Sequence, residues 1–399
     1  MFQELFVSHS RLGNQIPYSH ATSSFFIIMP LLLLLIMWSL RKKKKMGQEE
    51  CFTADATTQL RGIAIIFLIF GHLSVKCIEG VMPWELAAKW AVVIFLFLSG
   101  VGLVKAYGLE NPGKRFLHNR IRRLLFPVWL TLGLFYCLDY LFLDKTYSPI
   151  KVILSFLGLI KPGPPNGPAW FVTYIIFLYT VYYLASVLKI SVYKKFCVIL
   201  FSSYFVTYCI AYVPFLEKYF PFWKSYAVVF PVAILMGLYR SRLYSLLAKL
   251  FRYSSILFVG CMLGLALLYF INADGAFLSE IRAIPISLKV FLETIPPIFM
   301  IAAIAMFAYL LDVVKMKSGI LIFLGKYSFE IYLVHLPFME NYDFFMFRQP
   351  LFLYFYVYVG FVLLLSYLLN KFVASLNGLV FHRSFPHPAF PSPRSFRSP

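Results

Sequence analysis

Charge is scarce in this chain, and negative charge scarcest. Only 14% of the 399 residues are charged, 17 of them acidic against 37 basic. Soluble domains carry roughly 25% charged residues, so a large soluble core is excluded. Cysteine is sparse too: Cys51, Cys77, Cys137, Cys197, Cys209 and Cys261 lie scattered, mostly in apolar runs. No CxxC pair and no Cys/His cluster at ligand spacing occurs, which argues against a disulfide framework and against a metal site. Nor is there an internal repeat of the sort that marks many transporters. What fills the chain is apolar. It is 61% hydrophobic and 19% aromatic, in long runs parted by short basic bursts. That is the pattern of a polytopic membrane protein, whose partner is the lipid bilayer. The net charge of +20 belongs to those bursts and does not call for nucleic acid.

The runs predict an all-α transmembrane bundle of about 11 spans, with no large soluble domain. They fall near residues 22–40, 60–78, 87–106, 124–143, 169–188, 195–213, 226–239, 255–272, 291–311, 320–338 and 351–372. With the N-terminus outside, the inner loops and tail hold 26 of the 37 Lys and Arg residues. Cytoplasmic loops collect positive charge, so the expected topology is N-out, C-in. The first run is followed, not preceded, by Arg41-Lys-Lys-Lys-Lys45, the reverse of a cleavable signal peptide. Residues 1–50 therefore read as an extra anchor with a basic cytoplasmic loop. Residues 51–375 read as one membrane domain. Residues 376–399, rich in Pro and Ser, read as a disordered cytoplasmic tail. An outer loop, Lys161 to Pro168, is too rich in Pro and Gly for helix and is expected to shape a cavity entrance.

Three clusters carry chemistry. Arg61 and His72 are separated by ten almost wholly apolar residues. A guanidinium at the mouth of such a run snorkels to the interface, but an imidazole roughly 16 Å deeper along a helix is a functional-site signal. Gly62 and Gly71 flank the run and permit close approach of a backbone or ligand. Arg120 and Arg123 share a helical face at the inner end of the fourth span, where paired guanidiniums suit phosphate; a lipid-facing topogenic patch is the alternative. Glu330 and His335 place two ionisable groups in one span, about 140° apart around the helix, beside Ser328 and Tyr332. Ser99, before Gly100, fits close helix packing, and Trp170 fits an interfacial aromatic belt. Asp139 and Asp144 are expected in solvent.

In order, these residues resemble the acyltransferase-3 family of integral-membrane O-acyltransferases. The resemblance rests on Arg61 and His72, Phe95-Leu-Phe-Leu-Ser99-Gly100, Phe116 with Arg120, Arg123 and Pro127, Pro168-Ala-Trp170-Phe, and Leu324-Gly-Lys-Tyr-Ser-Phe-Glu330-Ile-Tyr332-Leu-Val-His335. It spans about residues 55 to 373. Two departures stand out. Ile175 and Ile176 occupy places where many members carry acidic residues, which leans toward simpler sugar O-acetylases, and the span at 22–40 is additional.

The resemblance implies transfer of a short acyl group, usually acetyl from cytoplasmic acetyl-CoA, to a sugar hydroxyl of a surface polysaccharide, lipopolysaccharide or lipid-linked glycan. It implies a bacterial cytoplasmic membrane. On that reading His72 is the general base, or accepts the acyl group itself. Arg61 screens the developing oxyanion or holds CoA phosphate, as Arg120 and Arg123 would. Glu330 and His335 hold the acceptor or relay protons, with Ser99, Trp170 and Tyr332 on the substrate side. The rival reading is a glycolipid or sugar transporter or flippase whose path these same polar residues line.

Overall fold

The computed structural model describes residues 16, 18–42, 51–78, 85–113, 115–158, 167, 170–214, 216, 220, 223–250, 286–314, 316–342, 345 and 347–381. Nearly all of them are helical. The order is α1 (Tyr18–Trp38), α2 (Ala54–Lys76), α3 (Glu85–Tyr107), α4 (Arg115–Arg120), a π-helical turn (Ile121–Leu125) and α5 (Phe126–Leu143). Then follow α6 (Pro149–Phe156), α7 (Trp170–Val187), α8 (Val192–Tyr212), a 3-10 turn (Lys224–Tyr226), α9 (Val229–Leu238) and α10 (Arg240–Leu250). The last are α11 (Ile286–Val313), α12 (Gly319–Lys326), α13 (Ser328–Glu340) and α14 (Leu351–Phe381). The one sheet among the described residues is a two-stranded antiparallel ribbon, β1 (Leu40–Lys42) with β2 (Met316–Ser318).

Seven of these helices are long and apolar enough to cross a membrane, or nine spans if two bent pairs each count once. This is an integral membrane protein. The expected spans at 60–78, 87–106, 124–143, 169–188, 195–213, 291–311 and 351–372 coincide with the seven. The expected span at 320–338 is bent by 77° between α12 and α13, and the one at 226–239 is the first limb of a pair bent by 89°. The first span holds only a short apolar helix, Phe26–Trp38. The expected span at 255–272, most of the 161–168 loop and the tail beyond residue 381 lie outside the described residues.

α2 is the hub, packed most extensively against α3 and α12 and also against α13. Small residues make this closeness possible. A Cβ on Gly62 would come within 3.0 Å of the Leu321 backbone of α12, and one on Gly71 would lie 2.7 Å from Ala88 Cβ of α3. Bare backbone at these points lets the helices approach until their main chains touch. The first turn of α2 is held just as firmly. Thr53 caps it by accepting from Ala56 N–H, and the Asp312 carboxylate of α11 accepts from Phe52 N–H at 2.9 Å and from the Thr53 hydroxyl. Negative charge at a helix N-terminus complements the orphan amides and the helix dipole.

The bend in the α12–α13 pair has a local cause. Tyr327 leaves helical geometry, and the Ser328 hydroxyl donates to Gly325 O at 3.0 Å, satisfying a carbonyl released by the break. α1 is an outer helix with much of its surface exposed, Phe26, Leu34 and Trp38 among it. It is tied to the bundle by the β1–β2 ribbon, by Ser39 Oγ to Ser318 Oγ at 2.6 Å, and by the Tyr356 hydroxyl donating to Ile28 O at 2.8 Å.

Candidate active site

α2 carries Arg61 and His72 at depths that differ from the sequence expectation. Because Thr53 sets its start, seven residues of helix precede Arg61, which therefore lies roughly 10 Å inside it. His72 lies about one turn from the final residue, Lys76. Arg61 thus sits away from the mouth of the helix.

His72 faces a partner. Its ring centroid is 5.3 Å from that of His335 on α13, with the planes tilted by 38°. The environments differ: His72 is half-buried, whereas His335 is fully buried. Nδ1 of His335 lies 2.9 Å from Tyr332 O and 3.1 Å from Ile331 O. Carbonyl oxygens only accept, so Nδ1 carries the proton and donates it. In the neutral ring Nε2 then holds the lone pair, and it is buried without a hydrogen-bond partner. The Tyr358 hydroxyl of α14 donates to His335 O at 2.7 Å and fixes that turn of α13. The result is a rigid imidazole presenting one unsatisfied basic nitrogen beside a second, more accessible imidazole.

Glu330 does not join them. Five residues before His335, it points around the helix by about 140°, and its carboxylate accepts from Asn370 Nδ2 of α14 at 2.7 Å.

The arginines divide. Arg61 is accessible although protein surrounds it, and the Tyr179 hydroxyl of α7 lies within electrostatic range of it. Arg120 lies with its guanidinium carbon 4.6 Å from the same Tyr179 ring and 5.0 Å from the Phe116 ring. Its Nε is buried and unpartnered. Arg120 of α4 thus packs on a tyrosine that also lies within electrostatic range of Arg61. Arg123 is exposed instead. The shared α-helical face expected for Arg120 and Arg123 is replaced by the π-helical turn. Pro127, which has no N–H and cannot bond back to the preceding turn, accounts for the irregularity.

Trp170 opens α7, stacked on Tyr226 with centroids 6.2 Å apart and planes 19° apart. Tyr332 lies between Phe171, at 5.6 Å, and His335, at 6.2 Å. Ser99 is half-buried beside Gly100, where a Cβ would lie 2.7 Å from Ala233 Cβ of α9, so this stretch serves close packing. Asp139 is corrected: it is fully buried, accepting from the Tyr342 hydroxyl at 2.6 Å and from Tyr147, because its face of α5 turns toward the end of α13. Asp144 is exposed, as expected. Tyr179, Tyr358 and Tyr342 are not marked by any local pattern. In a chain with 27 tyrosines, only the tertiary contacts single them out. Among the described residues, no three His, Cys, Asp or Glu side chains group as a metal site.

Fold and site together define a polytopic helical membrane protein with two facing histidines, one of them fully buried, and an arginine packed on a tyrosine. The acyltransferase-3 family model, an acyltransferase domain, matches residues 57–371, and the chain belongs to that family. It is accordingly a membrane acyltransferase. Neither the curated proteins nor the solved structures yield a match.

Proposed function

We propose that the protein transfers an acetyl group from cytoplasmic acetyl-CoA to a sugar hydroxyl of an envelope glycan, in a bacterial cytoplasmic membrane. The observation that carries this reading is the His72–His335 pair, two imidazoles at 5.3 Å with one basic nitrogen left bare. A thioester is already activated. What remains for the protein is to take the proton from the attacking alcohol and to stabilise the charge that forms on the carbonyl oxygen.

In this reading His72 takes the hydroxyl proton as the alcohol oxygen bonds to the acyl carbon. The carbon–sulfur bond then breaks, and the imidazolium returns that proton to the departing thiolate. His335 holds His72 in place and shares the proton through its free Nε2. Arg61 and Arg120 are suited to the anionic donor, since Arg120 packs on Tyr179 and retains an unsatisfied N–H, and Arg61 is accessible within electrostatic range of the same tyrosine. Arg123 is left to the surface and to lipid phosphate. Glu330 holds α13 to α14 through Asn370 and so keeps His335 in register.

The test is acetyl transfer by the full chain in lipid nanodiscs, followed as thiol release from acetyl-CoA and as acetylated acceptor. Arg120→Ala is expected to raise KM for acetyl-CoA by at least about tenfold, the scale of one lost charge-assisted contact. An unchanged KM with failed membrane insertion would return Arg120 to a topogenic role. Glycolipid movement without acetyl-CoA would favour the transporter reading instead.

A further inference from the structure

The longest basic run in the sequence, Arg41-Lys-Lys-Lys-Lys45, lies outside the stretch that matches the acyltransferase-3 family. Only Glu49 and Glu50 follow it before α2, so positive charge prevails there. The fold gives the start of this run a fixed place. β1 pairs with β2 so that Arg41 stands directly opposite Lys317. Residues directly opposite in an antiparallel pair project from the same face, and like charges in that relation repel. The backbone cannot part to relieve them. Ser39 Oγ meets Ser318 Oγ at 2.6 Å, Gly319 N–H donates to Ser39 O at 3.1 Å, and Gln59 Oε1 of α2 accepts from Ser318 N–H at 2.8 Å. Lys317 is partly neutralised by Asp55 Oδ2 at 3.6 Å. Arg41 is exposed and meets no carboxylate among the described residues. Its Nη1 donates to Leu40 O at 3.0 Å and to Trp38 O at 3.3 Å, which leaves Nη2 and Nε for another acceptor.

We infer that Arg41 and Lys317 together bind the phosphate of an anionic membrane phospholipid. The inference stands apart from acyl transfer. A guanidinium and an ammonium suit a phosphodiester, and its charge removes the repulsion that the ribbon otherwise holds in place. Position selects a lipid over a soluble phosphate. The ribbon follows directly on α1, whose last turns expose Leu34, Met37 and Trp38 at 59%, 63% and 76%. An exposed tryptophan at the end of an apolar helix marks the membrane interface, the level of the headgroups. A phospholipid uses both surfaces, its acyl chains along that flank and its headgroup at the ribbon. Inorganic phosphate or CoA uses only the charges. The ribbon is also where α1 is tied to the family domain, since β2 leads directly into α12 and α12 packs on α2 at Gly62.

The full chain, purified in a zwitterionic detergent, is titrated with phosphatidylglycerol and separately with phosphatidylcholine, and bound lipid is counted by native mass spectrometry. Phosphatidylglycerol is expected to bind with saturation, and phosphatidylcholine at least about fivefold more weakly. Arg41→Gln and Lys317→Gln should each weaken phosphatidylglycerol binding about fivefold, the scale of one basic residue at an anionic surface. Arg41→Lys keeps the charge and should bind within about twofold of wild type, which separates lost charge from misfolding. Arg242→Gln removes an exposed positive charge from α10 and should also stay within about twofold. A loss there equal to that in Arg41→Gln would reduce the effect to net charge and overturn the assignment. Unchanged phosphatidylglycerol binding in Arg41→Gln would overturn it as well. The last arm is thermal unfolding in phosphatidylcholine nanodiscs with inorganic phosphate or CoA added. No rise in Tm that depends on Arg41 is expected, and such a rise would assign the pair to a soluble phosphate in place of a lipid.

Discussion

Replacing Gly71 by alanine is the sharpest perturbation the fold allows, because Gly71 touches α3 and directly precedes His72. A Cβ there would lie 2.7 Å from Ala88 Cβ and 2.9 Å from Ala88 Cα. Carbon atoms rest at about 3.5–4.0 Å, so α2 and α3 must part by roughly 1 Å. Such overpacking costs about 1–3 kcal/mol. Alanine in a helix recovers about 1 kcal/mol over glycine. The net loss of stability is therefore modest, about 0–2 kcal/mol. The catalytic loss is larger, because a displacement of about 1 Å at a reacting group can cost on the order of 100-fold in rate. Gly102→Ala is the control: a Cβ on this α3 glycine meets nothing within 4 Å. It should leave turnover unchanged and raise Tm slightly. Both variants are measured in nanodiscs, by thermal unfolding and by thiol release from acetyl-CoA. Wild-type turnover in Gly71→Ala, or equal losses in the two variants, would refute the reasoning.

Three further outcomes follow from the same contacts. Glu330→Gln keeps an acceptor for Asn370 and should retain activity within about threefold, whereas Glu330→Leu orphans the amide and should lower stability by about 1–3 kcal/mol; an inactive Gln variant would make the carboxylate chemical. Asp139→Ala removes a buried acceptor that Tyr342 and Tyr147 both donate to, so thermal unfolding should shift down by an amount matching about 1–3 kcal/mol. Arg123→Ala, unlike Arg120→Ala, should leave KM for acetyl-CoA unchanged in the same kinetic assay, since Arg123 is exposed.

The helical membrane architecture is legible in the sequence because an apolar run of span length fits little besides a bilayer crossing. Seven spans and the close approach at Gly62 and Gly71 can be read from residue type alone. The start of α2 cannot, since it depends on Asp312 reaching Thr53 from α11. The break at Tyr327 is hidden because both limbs are apolar enough to read as one run. Asp139 misleads for a related reason: a carboxylate near a span end looks solvated until Tyr342 arrives from a distant helix. At the site, residue types mark His72, His335, Arg61 and Arg120 one by one. That the histidines meet each other is a property of the packing between α2 and α13, and that Arg120 meets Tyr179 is a property of the packing between α4 and α7.

The most direct measurement is a double-mutant cycle on the histidine pair. His72→Ala, His335→Ala and the double variant are purified in nanodiscs, shown to be folded by thermal unfolding, and assayed for acetyl transfer from acetyl-CoA. If the two imidazoles act as one proton-handling unit, each single variant loses nearly all turnover and the double variant is no worse than either. Near-wild-type turnover in His72→Ala, or independent additive losses, would contradict the claim.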